Sequence, residues 1–148
     1  MSALVTPNDV RFFLMDRTAQ ENFLLDSVEF SDEDVNSALT LAVDKYNSTL
    51  PMVDSYTTET FPYRYELMLG ASASLLRAKG FNYLRNNLDF ATKDGTVVND
   101  RSKGGDYLKL ADSMMQEFDN RITQIKKTKN AEQAYGHISG VYGRRVLW

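Results

Sequence analysis

The sequence predicts a mainly α-helical protein: a small helical bundle with a long central helix, a short β-hairpin and an extended C-terminal tail. Three observations lead there. The stretch 62–88, PYRYELMLGASASLLRAKGFNYLRNNL, carries apolar and small residues at three- and four-residue steps, the repeat that stacks side chains on one helix face. Two shorter runs with the same spacing follow strong helix-start signals, Thr6-Pro7-Asn8-Asp9 and Ser31-Asp32-Glu33-Asp34. A last apolar-periodic run begins at Asp100 or Ser102 and continues to about Lys127.

In the central helix, Pro62 suits the first helical position, where its missing N–H would be unpaired anyway. Tyr65, Leu69, Ala73, Leu76, Gly80 and Leu84 form the predicted core stripe, widened by Met68, Ala71, Leu75 and Ala78. The other face sets Gly70 and Ser74 between Glu66 and Arg77. Glycine inside a helix costs about 1 kcal/mol against alanine, so these small residues predict a second backbone at close range. It belongs either to the same chain or to a neighbouring copy.

The first helix is read from Thr6 as cap, Pro7 in the first turn and Asp9 three residues after the cap, with Val10, Phe13 and Leu14 as its apolar face to about Asp16. Residues 17–30 read as a loop pinned by Phe23-Leu24-Leu25 and Val28. The second helix starts at Ser31. Its three acids sit against the positive end of the helix dipole, and Val35, Leu39, Ala42, Val43 and Tyr46 follow to about Asn47. Three consecutive acids point in different directions around a helix, so capping explains them better than metal binding. Leu50-Pro51 ends that helix, and residues 52–61 read as an extended connection. Over residues 89–99, Asp94-Gly95 lies between two β-capable pieces, which predicts a hairpin through a type I′ turn. In the last helix Tyr107, Ala111, Met114, Phe118, Ile122 and Ile125 form the core stripe, with Leu108, Leu110 and Met115 beside it. Lys126, Lys127 and Lys129 gather at its predicted end, where cations favour exposed carbonyls; a phosphate-facing role is the alternative.

A chain of 148 residues fits one domain, here 1–130, followed by an arm at 131–148. With no cysteine, disulfides and thiolate metal sites are excluded. No apolar run approaches the length of a membrane span and no leader pattern opens the chain, so a soluble, unsecreted protein with no membrane contact is expected. The formal net charge of −3 is unevenly spread. Residues 1–60 hold eleven acids and three bases, net −8, whereas residues 61–148 hold nine acids and fourteen bases, net +5. Such polarity orders head-to-tail contacts between copies, or orients the chain between two partners.

The arm, AEQAYGHISGVYGRRVLW, is too rich in aromatic and branched residues for a solvated tail. Tyr135, His137, Ile138, Val141 and Tyr142, with Arg144, Arg145, Val146, Leu147 and Trp148, are candidate partner-binding residues. Docking on the chain's own domain is the alternative. Phosphate-loop, dinucleotide, HExxH and GxSxG patterns are all missing, and His137 is the one histidine. No catalytic residue, metal ligand or cofactor is therefore assigned, and an enzyme is not expected.

The order of features is a short capped helix, an acid-capped helix (SDEDVNSALTLAVDKYN), a long Ala/Ser-rich helix (PYRYELMLGASASLLRAKG), a hairpin, a last helix and a Gly/aromatic/basic tail (YGHISGVYGRRVLW). This order resembles the head-to-tail adaptor, or connector, proteins of tailed bacteriophages. The resemblance implies a structural virion protein of the neck, assembled in the host cytoplasm, that forms a homo-oligomeric ring of commonly twelve copies beneath the capsid portal. It implies a continued DNA channel without specific DNA binding, a portal-docking arm at Tyr135–Trp148, and a downstream tail or neck protein met by the hairpin. Glu66, Gly70, Ser74 and Arg77 then become subunit–subunit packing residues. The competing expectation is a small helical regulatory module that binds protein or nucleic acid through its basic C-terminal half.

Overall fold

A computed structural model describes residues 5–16, 28–86, 90–91, 97–98 and 101–135. Among them are four helices: α1 (Pro7–Leu14), α2 (Asp32–Ser48), α3 (Arg64–Arg85) and α4 (Arg101–Tyr135). Phe90–Ala91 (β1) and Val97–Val98 (β2) pair antiparallel, Phe90 opposite Val98 and Ala91 opposite Val97. Two residues a side fall short of the hairpin predicted over 89–99, and its Asp94-Gly95 turn lies outside the described residues. A ladder this short does not stabilise itself, and the fold is mainly helical.

Both helix starts close as full capping boxes. The Thr6 hydroxyl accepts from the Asp9 N–H while the Asp9 carboxylate accepts from the Thr6 N–H, and Ser31 with Asp34 repeats the pattern. Asp16 ends the first unit. Its carboxylate is buried and accepts from the Glu29 and Phe30 N–H groups at 2.7 and 3.1 Å. Arg11 donates to the Phe30 carbonyl and pairs with Asp32. α1 is thus tied to the start of α2 by charged side chains bonded to backbone, the stronger class of hydrogen bond.

α3 is the central element, packed along α4 and α2 and crossed by α1 near its N-terminal half. It begins two residues after Pro62, so the proline lies before the helix instead of in its first turn. The physical reason is aromatic: Phe61 and Tyr63 pack edge-on against each other and around Tyr46 and Tyr56, which holds the backbone there out of the helix. The buried face of α3 includes Leu67, Leu69, Gly70, Ala71, Ser72, Ala73, Leu75, Leu76 and Gly80. Three members of the predicted stripe, Tyr65, Ala78 and Leu84, are exposed instead: Tyr65 lies under the Arg121 guanidinium and Ala78 lines an open groove against α2.

Two glycines fix how closely α3 and α4 approach. A Cβ on Gly80 would lie 2.8 Å from Leu108 Cγ and 3.1 Å from the Gly104 carbonyl oxygen. A Cβ on Gly104 would lie 3.0 Å from Leu84 and 3.2 Å from the Gly80 carbonyl oxygen. Contacts this short are tighter than packed side chains tolerate. α4 also runs on past the predicted end near Lys127 to Tyr135, so residues 131–135 are helix and not arm. Ala131, Glu132, Gln133 and Ala134 are good helix formers, and Gly136 is the first breaker in the sequence.

Gly80→Val should lower unfolding stability by about 1–3 kcal/mol through overpacking. Gly105, with open space around it, supplies the contrast. Gly105→Ala should raise stability by up to about 1 kcal/mol from helix propensity alone. Chemical denaturation of the two variants beside the parent checks both.

Candidate interaction surfaces

The four residues expected to pack between subunits have different surroundings. Gly70 is buried within the chain, with Ala42 Cβ and the Phe118 ring 3.0 Å from where its own Cβ would stand. The close backbone that the glycine predicted therefore belongs to the same chain, and Gly70 is not open to a neighbouring copy. Glu66 is mostly covered and faces Arg121 at 3.6 Å; that guanidinium also bonds Glu117 and lies 4.7 Å over the Tyr65 ring. Ser74 is half-buried, its hydroxyl donating to the Gly70 carbonyl at 3.0 Å, and Arg77 is exposed. Ser74 and Arg77 remain as surface residues.

Beyond Gly70, the surface around Ser74 opens into a groove of about 330 Å3 between α2 and α3. Asp34, Ser37, Ala38 and Leu41 line one side and Ser74, Ala78, Lys79 and Asn82 the other, with Glu29 at the edge, and a neighbouring hollow is lined by Phe81 and Arg85. Leu41 and Phe81 are each more than half exposed. Ser74, Ala78, Phe81 and Arg85 stand at four- and three-residue steps, so they share one face. Ser74 was legible in the sequence as a surface position, whereas Ala78 was expected in the core stripe and is exposed. Arg77 and Arg85 make no ion pair among the described residues.

A second apolar surface is built by α1 and α4. Phe12, Met15 and Leu110 are each more than half exposed, and Met15 and Leu110 line a depression together with Phe13, Leu14, Leu76, Tyr107 and Met114. Asp106 and Glu117 flank Leu110 on the outside of α4.

Of the lysines at 126, 127 and 129, Lys126 serves a different helix end from the predicted one, Lys129 bonds the segment after α2, and Lys127 is exposed. The Lys126 ammonium is buried and donates to the Asn47 and Thr49 carbonyls at the C-terminus of α2, 4.6 Å from the Tyr46 ring centre. It is α2, not α4, whose free carbonyls it satisfies. Burial pushes its pKa down, and nearby Lys129 pushes the same way against the opposing charge of Asp54. Lys129 bonds Asp54 and the Tyr56 hydroxyl. Asp54 also accepts from the Tyr46 and Tyr56 hydroxyls, both at 2.8 Å. Burial pushes the Asp54 carboxyl up, but hydrogen bonds from Lys129, Tyr56 and Tyr46 outweigh it and leave the pKa below the usual value. Burial likewise opposes the Lys129 charge, and its bonds to Asp54 and Tyr56 reverse that effect and raise its pKa. Burial raises the Tyr46 phenol, with its bond to Asp54 adding to the shift. This cluster was not legible in the sequence, because Tyr46 on α2, Asp54 and Tyr56 on the connection after it and Lys129 on α4 come from three parts of the chain with no shared spacing. Gln133 continues the contact by donating to the Val53 carbonyl.

At the end of α4 Tyr135 is 78% exposed. The other proposed partner-binding residues, His137, Ile138, Val141, Tyr142, Arg144, Arg145, Val146, Leu147 and Trp148, lie outside the described residues. No group of acidic or histidine side chains suited to a metal ion occurs among the described residues, and no described helix is long and apolar enough to cross a membrane. The chain matches no protein-family model, no curated protein and no solved structure.

The Asp54 cluster has a definite pH signature. A depressed carboxyl stabilises the fold above its unfolded pKa of about 3.9 and loses that contribution as pH falls through the folded value. A raised lysine contributes below about 10.4 and loses its share as pH rises through the folded value. Asp54→Asn should therefore cost about 1–3 kcal/mol at pH 7, with a smaller difference from the parent at pH 3. Urea titrations at the two pH values measure both effects.

Proposed function

We propose that the chain is a head-to-tail adaptor of a tailed bacteriophage. In this reading it forms a ring, commonly of twelve copies, that joins the capsid portal to the tail and continues the DNA channel. The observation that carries the reading is the polarity of the subunit. A helical body exposes apolar surfaces on more than one side, and its longest helix ends in an exposed Tyr135 from which the aromatic and basic arm continues. A subunit of a ring has this requirement: two distinct lateral surfaces and an end-on contact with another component.

The arm from Tyr135 to Trp148 is the portal-docking segment, with Tyr135 now the last turn of α4 and not part of an extended strand. The segment at 89–99, around Asp94-Gly95, is its counterpart for the downstream tail or neck protein. DNA passes through without specific contacts, and the ring carries out no chemistry. The reading as a regulator that binds nucleic acid through its basic C-terminal half loses support from the lysines. Lys126 and Lys129 are engaged within the chain by carbonyls and Asp54, which removes them from a phosphate-facing surface and leaves Lys127 as the exposed member of the three.

Removal of residues 136–148 tests the arm. The truncated chain should keep the far-UV circular dichroism and melting temperature of the parent while losing co-sedimentation with the portal ring of the same virion. A parent chain that fails to bind that ring overturns the adaptor reading. A truncation that unfolds the body shows the arm to be docked on its own domain.

A further inference from the structure

Residues 130–135, the end of α4, are all exposed and yet helical. Nothing local favours that state. The last carbonyls of a helix lack partners within it, and short helical stretches without packing are marginal in water. No base follows Lys129 in α4, and Glu132 stands near the negative end of the helix dipole, where a carboxylate is disfavoured.

Two side chains one turn apart reach from this end to the connection after α2. Lys129 bonds Asp54 and the Tyr56 hydroxyl, and Gln133 donates to the Val53 carbonyl at 3.3 Å. Residues four apart share a helix face, so both tethers hold the same side of α4 against the connection. The connection is itself anchored. Asn47 on α2 makes two hydrogen bonds with the Tyr56 backbone, and Asp54 accepts from the hydroxyl of Tyr46, whose ring is fully buried. The Lys129 and Asp54 side chains are 23% and 18% exposed, so water and salt screen this pair much less than a surface pair.

We propose that Asp54 and the Val53 carbonyl, by holding Lys129 and Gln133, form a latch that keeps residues 130–135 helical and fixes where the chain past Tyr135 leaves the body. From Lys129 to Tyr135 the helix advances about 9 Å, whereas the same steps fully extended cover about 20 Å. Closed, the latch starts the arm at one distance and direction from α2 and α3. Open, it gives the arm about 10 Å more reach and no set direction. The inference rests on the adaptor reading for what the arm meets, and gives Asp54, Lys129 and Gln133 a positioning role towards that contact.

Hydrogen exchange on the full-length chain reads the latch without a partner. Asp54→Asn and Gln133→Ala should each speed exchange of the 131–135 amides about tenfold, while amides in 69–76 and 118–122 keep the parent's rates. Unchanged exchange at 131–135 in both variants overturns the latch. A rise confined to 50–56 overturns it as well, since the network then supports the connection and not the helix end. Should Asp54→Asn raise exchange throughout the chain, Gln133→Ala decides, because its side chain is exposed and its loss leaves Asp54 and Lys129 paired. Spin labels measure the reach. The chain has no cysteine, and Asp44 and Tyr135 are exposed, so Asp44→Cys with Tyr135→Cys reports a single distance. The distribution should be narrow in that background and become longer and broader when Gln133→Ala and Asp54→Asn are added; an unaltered distribution sinks the fixed point of departure. Neither readout involves the portal, so failure of the latch leaves the adaptor reading intact, and failure to bind the portal ring leaves the latch intact.

Discussion

The close crossing of α3 and α4 at Gly80 and Gly104 is the constraint on which the rest of the fold depends. Each glycine stands where the other helix's backbone and a leucine leave no room for a Cβ. Farther along α3, Gly70 repeats the device under Ala42 and Phe118, which brings α2 into the same packed unit. Three helices are thereby set at distances that larger side chains would not permit. Dispersion contacts fall off steeply with small gaps, so the burial of Leu67, Leu69, Phe118 and Ile122 depends on those spacings. The propensity cost of helical glycine, about 1 kcal/mol each, is offset by the packing it permits.

At the other end of the bundle the connection is polar. The segment after α2 is held by Asn47, whose side chain both donates to and accepts from the Tyr56 backbone at 2.9 Å. Asp54 sits among Tyr46, Tyr56 and Lys129, while Lys126 closes the last carbonyls of α2. A buried ammonium is costly unless its donors are satisfied, and here carbonyls and an aromatic face do so. This arrangement explains how an extended stretch without secondary structure lies against α4 and why α4 stays helical as far as Gln133. The two ends of the molecule are therefore held by different physics: close apolar contact at one, and satisfied charge at the other.

Two exposed apolar surfaces lie on different sides of α3, the groove between α2 and α3 and the depression that Met15 and Leu110 line, and Glu29 and Phe30 border both.

Much of the helical architecture was legible from the amino-acid order, because capping and apolar periodicity are local. Thr6 with Asp9 and Ser31 with Asp34 form the predicted caps, and α2 begins and ends within a residue of its predicted span. Local rules failed where a distant element decided the outcome. Pro62 precedes α3 because Phe61 and Tyr63 are drawn into a ring cluster with Tyr46 and Tyr56. Lys126 serves α2 because α4 lies alongside it, and Gly70 is closed by Ala42 and Phe118 from two other helices. The candidate surface was half legible: Ser74 and Arg77 came from spacing, whereas Leu41 and Phe81 acquired meaning once α2 and α3 were set side by side. The sequence by itself determined which stretches are helical and where they are capped, since hydrogen bonds within one turn govern both. The tertiary structure alone decided which side of each helix faces inward at its ends, because burial depends on which neighbour extends that far.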